Sequence, residues 1–81
     1  MPRLKRLTSR EVLRILRGFG FEVVSTRGSH ARLVRATASG ERQVLTVPVH
    51  AKLPTGTLRA IYRQASRFVA TAELGREFYC D

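Results

Sequence analysis

The spacing of apolar residues changes twice along this chain, and these changes constrain its fold more than any other feature. Residues 12–19 place apolar side chains at the three- and four-residue spacing of a helix. Residues 21–49 mostly alternate with a period of two, as strands with one buried face do, and helical spacing returns at residue 58. The order α-β-β-β-α predicts an α+β fold with two helices on one face of a three-stranded antiparallel sheet.

The first helix is predicted to begin at a capping box. Thr8 and Glu11 have the spacing at which the threonine hydroxyl accepts from the Glu11 amide and the glutamate carboxylate accepts from the Thr8 amide. Gly18 and Gly20 follow the last apolar turn, and we expect a left-handed cap to end the helix there.

Three strands are predicted over residues 21–26, 30–37 and 42–49, joined by a turn at Gly28-Ser29 and a loop over residues 38–41. Strict alternation puts Val23 and Ser25 on one face of the first strand. It puts Val49 on the packed face of the third strand, and His30 and Arg32 on the opposite face of the second. Pro48 suits an edge strand or a strand end, because it has no amide proton to donate.

The C-terminal part is predicted to hold a second amphipathic helix and a short third one. The apolar residues of the second helix are Leu58, Ile61, Tyr62 and Ala65. The third is expected to start at Thr71, with Leu74 and Phe78 as its apolar contacts. With no linker or repeat in 81 residues, we expect one domain over residues 1–81.

The chain is strongly basic, with 15 Lys and Arg against 6 Asp and Glu and a formal net charge of +9. Thirteen of the cations are arginines, whose planar guanidinium pairs with phosphate oxygens through two bonds. Two stripes on the polar faces of the predicted helices are Arg10, Arg14 and Arg17, and Arg59, Arg63 and Arg67. They suit either a solvated face or phosphate contact, and the total charge favours nucleic acid as the ligand class.

The sequence predicts neither a membrane protein nor a metal protein. Every apolar run is far shorter than the roughly 20 residues that cross a bilayer, and no apolar signal segment follows the basic residues 1–6. The lone cysteine, Cys80, cannot form an internal disulfide, and with two histidines it makes no structural zinc set. We therefore expect a cytoplasmic protein with no metal, no cofactor and no membrane partner.

The chain lacks the residues that most catalytic templates require. There is no evident carboxylate pair and no Walker lysine, and a Ser-His-Asp triad would need Asp81, the one aspartate. His30 follows the Gly28-Ser29 turn and lies between Arg27 and Arg32 in sequence, where an imidazole could act as a general base on a bound phosphodiester. Composition alone favours a surface histidine bonded to its own turn. His50 is more simply a loop residue that closes a turn.

Three motifs resemble the HicA (YcfA-like) toxin family. They are Gly28-Ser29-His30, Val47-Pro48-Val49-His50 and the segment Gly56-Thr57-Leu58-Arg59-Ala60-Ile61-Tyr62-Arg63-Gln64-Ala65. The resemblance runs from Thr8-Ser9 to Ala65, with the motifs in the family's order. It implies a fold like the double-stranded-RNA-binding domain, mRNA interferase activity with His30 as the catalytic residue, and a HicB-like antitoxin as partner.

The chain departs from the family pattern at three places. Ala31 stands where many members carry a second histidine, which excludes a mechanism with two adjacent imidazoles. Leu53-Pro54-Thr55 occupies a loop that is often rich in lysine, which predicts weaker RNA contact there. Residues 66–81 match least, and a third helix, an oligomerisation element and an antitoxin contact all remain open for them.

The resemblance and the charge together predict the toxin of a type II toxin-antitoxin system, a metal-independent endoribonuclease that cleaves mRNA with His30. The residues expected to contact RNA adjoin the His30 turn or the start of the second helix; they are Arg27, Ser29, Arg32, Lys52 and Arg59. One alternative is a non-catalytic RNA-binding module that uses the same basic surface. Another is a protein-binding domain whose basic face meets only an acidic partner.

Overall fold

The computed structural model of the protein describes residues 2–80, which form three helices and five strands. In chain order these are β1 (Arg3–Leu4), α1 (Ser9–Gly18), β2 (Glu22–Arg27), β3 (His30–Ala36), β4 (Arg42–Pro48), α2 (Thr55–Ala65), α3 (Thr71–Phe78) and β5 (Tyr79–Cys80). The predicted α+β fold with the α-β-β-β-α order, a three-stranded antiparallel sheet and a short C-terminal helix is confirmed. The sheet order is β2-β3-β4, so β3 is central.

Helix α1 begins at the predicted capping box. The Thr8 amide donates to Glu11 Oε1 over 2.9 Å, and the Glu11 amide donates to Thr8 Oγ1 over 3.2 Å. These bonds to Thr8 lower the pKa of the Glu11 carboxyl below its ordinary value of 4.5, because they favour the charged form. Two of the free amides at the helix start are thus satisfied by local side chains.

Helix α1 ends at a left-handed glycine, as predicted. Gly20 has a φ of +97°, and its amide donates to the Arg17 carbonyl over 2.9 Å. The Phe21 amide donates to the Leu16 carbonyl over 3.1 Å, which completes a Schellman motif. The helix therefore turns directly into β2.

Strand β2 contains a bulge that strict alternation does not predict. Val23 pairs with Leu33 and Ser25 pairs with Arg32, so Val24 has no partner and is 52% exposed. Because the bulge adds one residue, Ser25 lies on the face opposite to Val23. The prediction that Val23 and Ser25 share a face is wrong.

The helices cover one face of the sheet and leave the other open. The covered face carries the buried residues Ala31, Leu33, Leu45 and Val47. They pack against buried residues of the helices, including Val12, Leu16, Leu58, Ile61 and Ala65. Pro48 ends the edge strand β4, as its missing amide proton predicts. The expectation for Val49 is wrong, because this residue follows the strand end and is 39% exposed.

The C-terminal segment completes the core. Leu74 and Phe78 of α3 have no exposed surface, and the Phe78 ring lies 5.5 Å from the Tyr62 ring in an edge-on arrangement. Strand β5 then pairs antiparallel with β1, which brings the two ends of the described chain together. Of the three possibilities open for residues 66–81, the third helix is confirmed over Thr71–Phe78.

A side chain covers part of the free edge of β4. Gln64 of α2 accepts from the Thr46 amide over 3.2 Å, and its Nε2 donates to the Thr46 carbonyl over 3.4 Å. Both backbone groups of Thr46 that face away from β3 are therefore bonded within the molecule.

Arg35, half-buried near the end of β3, joins three parts of the chain. Its Nε donates to Gln43 Oε1 over 2.8 Å, Nη1 to the Phe19 carbonyl over 2.9 Å, and Nη2 to the Phe68 carbonyl over 2.8 Å. The guanidinium carbon lies 4.8 Å from the centre of the Phe21 ring. These contacts hold the C-terminal ends of α1 and α2 at one end of the sheet.

None of the three helices between residues 2 and 80 has the length and apolar content needed to cross a membrane.

Candidate nucleic-acid interface

His30 is the first residue of the central strand and lies beside a tight turn. The turn consists of Gly28 and Ser29, and Gly28 supplies the positive φ it requires, +53°. Across the sheet His30 pairs with Arg27 of β2 on one side and Pro48 of β4 on the other. Its side chain is exposed. The turn thus presents an accessible imidazole next to a guanidinium.

Arg32 lies on the same open face as His30, as predicted. Ala31 between them is 1% exposed and points to the core, so alternation directs His30 and Arg32 away from the helices. Arg32 is flanked across the sheet by Ser25 and Thr46. Same-face neighbours along a strand are separated by roughly 7 Å, so His30 and Arg32 are close enough to act on one bound phosphodiester.

Ala31 stands where many members of the family that the sequence resembles carry a second histidine, and in this structure it points to the core. A histidine at position 31 would enter the packed face of the sheet beside Leu33 and Val47 and would not join His30 on the open face. Alternation within β3 therefore separates adjacent side chains here whatever the residue type.

The His30 turn is fastened to the loop after β4. The Val49 amide donates to the Ser29 carbonyl, and the Ser9 amide donates to the His50 carbonyl over 3.4 Å. The turn, the segment 49–50 and the start of α1 are thus consecutive neighbours in space. His50 has an exposed side chain and contributes its backbone to this contact.

The predicted RNA-contacting residues fall into two groups. Arg27, Ser29 and Arg32 lie with His30 on the β2–β3 hairpin. Lys52 and Arg59 instead line a groove between the N-terminal segment and the start of α2. Both groups lie toward the end of the sheet where β4 stops.

Sequence reasoning missed the N-terminal part of this groove. Arg3, Lys5 and Arg6 line it together with Lys52 and Arg59. The pairing of β1 with β5 places them there, and no local pattern in residues 2–8 could have shown that pairing.

Metal-ligating residues do not gather within the described residues 2–80: no three His, Cys, Asp or Glu side chains come close enough to share an ion. Cys80 is exposed in β5, and Asp81, considered above for a catalytic triad, lies outside the described residues.

A protein-family model matches most of the chain. The family model described as "HicA toxin of bacterial toxin-antitoxin" matches residues 9–66, well over half of the chain. The matched region contains α1, the three-stranded sheet and α2, and it leaves out β1, α3 and β5. No curated protein matches the chain.

Proposed function

Since this chain belongs to the HicA toxin family of bacterial toxin-antitoxin proteins, we propose that it is an mRNA interferase that cleaves RNA with His30 as its catalytic base. The observation that carries the proposal is the position of His30. Its imidazole is exposed on the open face of the sheet, opposite Arg27 and two residues from Arg32. This is the arrangement that a phosphodiester needs, with a base and two cations on one accessible surface.

In the proposed reaction a ring nitrogen of His30 accepts the proton of a ribose 2′-hydroxyl. The freed oxygen attacks the adjacent phosphorus, the bond from phosphorus to the 5′-oxygen breaks, and a 2′,3′-cyclic phosphate remains. Water supplies the proton to the departing 5′-oxygen, and His30 then returns the proton it accepted to the solvent, so that the step balances. The reaction uses one histidine and no cofactor or metal ion.

Arg27 and Arg32 would stabilise the charge that gathers on the phosphorane oxygens. Guanidinium groups that are already in place lower the barrier without reorganisation during the reaction. General base catalysis by one histidine typically contributes about 10²–10⁴-fold, so positioning and charge must supply the rest of the acceleration. A slow ribonuclease is expected.

An antitoxin is the partner that a toxin of this family implies. We propose that it is a HicB-like protein, and that both act in the cytoplasm, where mRNA is available. We further propose that residues 1–81 form a single domain.

Cleavage of labelled RNA by purified protein tests the proposal. We expect His30→Ala to slow cleavage by about 10²-fold or more and to leave RNA affinity nearly unchanged, because His30 is exposed and its removal disturbs no packing. EDTA should have no effect. Undiminished cleavage by His30→Ala, or cleavage that stops with EDTA, would contradict the mechanism.

The second candidate is an RNA-binding module without catalysis. It is supported by the net charge of +9 and by the exposed arginines, which favour binding whether or not His30 reacts. A pure binder shifts the mobility of labelled RNA without producing new ends, so the same assay separates the two functions.

A further inference from the structure

The N-terminal segment, which the family match does not cover, forms one wall of a basic groove. Residues 2–8 are held in place at the C-terminal end of the chain. Arg3 pairs with Cys80 in the β1–β5 ribbon, the Lys5 amide donates to the Phe78 carbonyl over 2.8 Å, and Lys5 Nζ donates to the Arg76 carbonyl over 3.3 Å. The segment is therefore a fixed wall.

The groove, of about 850 Å³, is richer in cations than the chain as a whole. Five of its fourteen lining residues are Lys or Arg, against 15 of 81 in the sequence, and none of the described residues that line it is acidic. Lys5 is occupied by the Arg76 carbonyl, while the other four cations, Arg3, Arg6, Lys52 and Arg59, are exposed along both walls. Four cations whose side chains bond to none of the described residues 2–80 and line one channel suit a polyanion with repeating charges.

The groove lies next to the segments that the His30 turn contacts. The Val49 amide donates to the Ser29 carbonyl and the Ser9 amide donates to the His50 carbonyl. The residue before Ser9 is Thr8, which lines the groove. Lys52, two residues after His50, lies on the opposite wall. A strand bound at His30 can therefore reach the groove by passing over the segment 49–52.

We infer that this groove binds the sugar-phosphate backbone of single-stranded RNA beside the cleavage site, with Arg3 and Arg6 as phosphate contacts. The inference rests on the proposed function for the identity of the ligand. It assigns the N-terminal segment, which lies outside the matched residues 9–66, to substrate positioning.

Binding of a single-stranded RNA to the His30→Ala protein at several salt concentrations tests this inference. Adding Arg3→Gln and Arg6→Gln should lower affinity roughly 10-fold at ~0.1 M salt. It should also reduce the slope of log K against log salt by about 1.4, because each phosphate contact on single-stranded RNA contributes about 0.7. Lys52→Gln with Arg59→Gln, in the other wall, should give a similar loss.

Arg42→Gln with Arg76→Gln is the matched control. It removes the same charge at two exposed positions that line neither the groove nor the His30 hairpin. Its effect on affinity should stay below about 2-fold. Equal losses in the control and in the Arg3/Arg6 variant would show an effect of net charge alone and would overturn the inference. So would unchanged RNA binding with weakened binding of an acidic antitoxin peptide.

The outcome is separable from that of the proposed function. In one outcome the wild-type protein leaves RNA intact while the Arg3/Arg6 variant shows lower RNA affinity and a smaller slope of log K against log salt. That result would support RNA binding by the groove and contradict cleavage by His30. If the wild type cleaves while the groove variants bind as well as their parent, cleavage stands and the groove fails.

Discussion

Arg35 is a single residue on which the relative position of three segments depends. Its three donors reach acceptors on β4, at the end of α1 and after α2. The planar guanidinium can direct three bonds in fixed directions, and a lysine ammonium cannot reproduce that geometry. Without the arginine, the half-buried carbonyls of Phe19 and Phe68 would lose their charged partner.

We expect Arg35→Lys and Arg35→Met each to lower the free energy of unfolding by about 2–3 kcal/mol, since hydrogen bonds to a charged group are lost in a half-buried site. Urea unfolding measures this loss. Arg42→Lys, at an exposed position, serves as the control and should stay within about 0.5 kcal/mol of the wild type. Full retention of stability by Arg35→Lys would show that charge alone suffices.

Among the helices, α1 is the one whose start depends on titratable chemistry. Glu11 has a lowered pKa because the Thr8 amide and hydroxyl donate to its charged carboxylate. The folded pKa lies below the unfolded value, so the resulting stabilisation is complete above the unfolded pKa of about 4.5. It is lost as the pH falls through the folded pKa.

Thr8→Ala should lower the stability of the protein by about 1 kcal/mol at neutral pH, because it removes the N-cap oxygen. Glu11→Gln should be less stable than the wild type at neutral pH, and this difference should shrink as the pH falls below the unfolded pKa of about 4.5 and the wild-type carboxylate takes up its proton. Thermal midpoints measured by circular dichroism across this pH range give the comparison. In the Thr8→Ala background the effect of Glu11→Gln should keep the larger part of its pH dependence, because the Thr8 backbone amide, the first cause of the lowered pKa, can still donate to Glu11. Complete loss of the pH dependence would instead assign it to the Thr8 hydroxyl.

Helices and strands that are encoded by short sequence patterns were predictable, while the irregularity in β2 was not. The capping box, the glycine stop and the period of two are contained within short segments, so α1 and the three strands were predictable. The bulge at Val24 was not, because it depends on how β2 meets Leu33 and Arg32 of another strand.

For the whole molecule, the residues after the family match are part of the core. Val69, Leu74 and Phe78 are buried among residues of the matched region. Deleting a buried leucine or phenylalanine side chain typically costs about 2–5 kcal/mol, and a domain of this size has little stability in reserve.

A chain truncated after Ser66 should therefore be unfolded at 25 °C, with random-coil circular dichroism and poor dispersion of amide signals in NMR spectra. Phe78→Leu in the full chain is the milder comparison and should still fold, with a lower midpoint of thermal unfolding. Cooperative unfolding of the truncated chain would mean that α3 is dispensable.

Only part of the candidate site was predictable from the sequence, because some of its residues are far apart in the chain and come together only in the fold. His30, Arg27 and Arg32 are close in sequence, so the turn and the alternation of β3 placed them on one hairpin. Arg3 and Lys52 line one groove only because β1 pairs with β5, and no spacing in the sequence encodes that pairing.

The bond between Gln64 and Thr46 limits how far the sheet can grow. A fourth strand joining β4 would have to displace a side-chain amide that already occupies the backbone groups of Thr46. At the opposite edge, the bulge between Val23 and Ser25 interrupts the regular spacing that an added strand requires. The protein thus carries its own protection against edge-to-edge aggregation, and replacing Gln64 would expose a template for it.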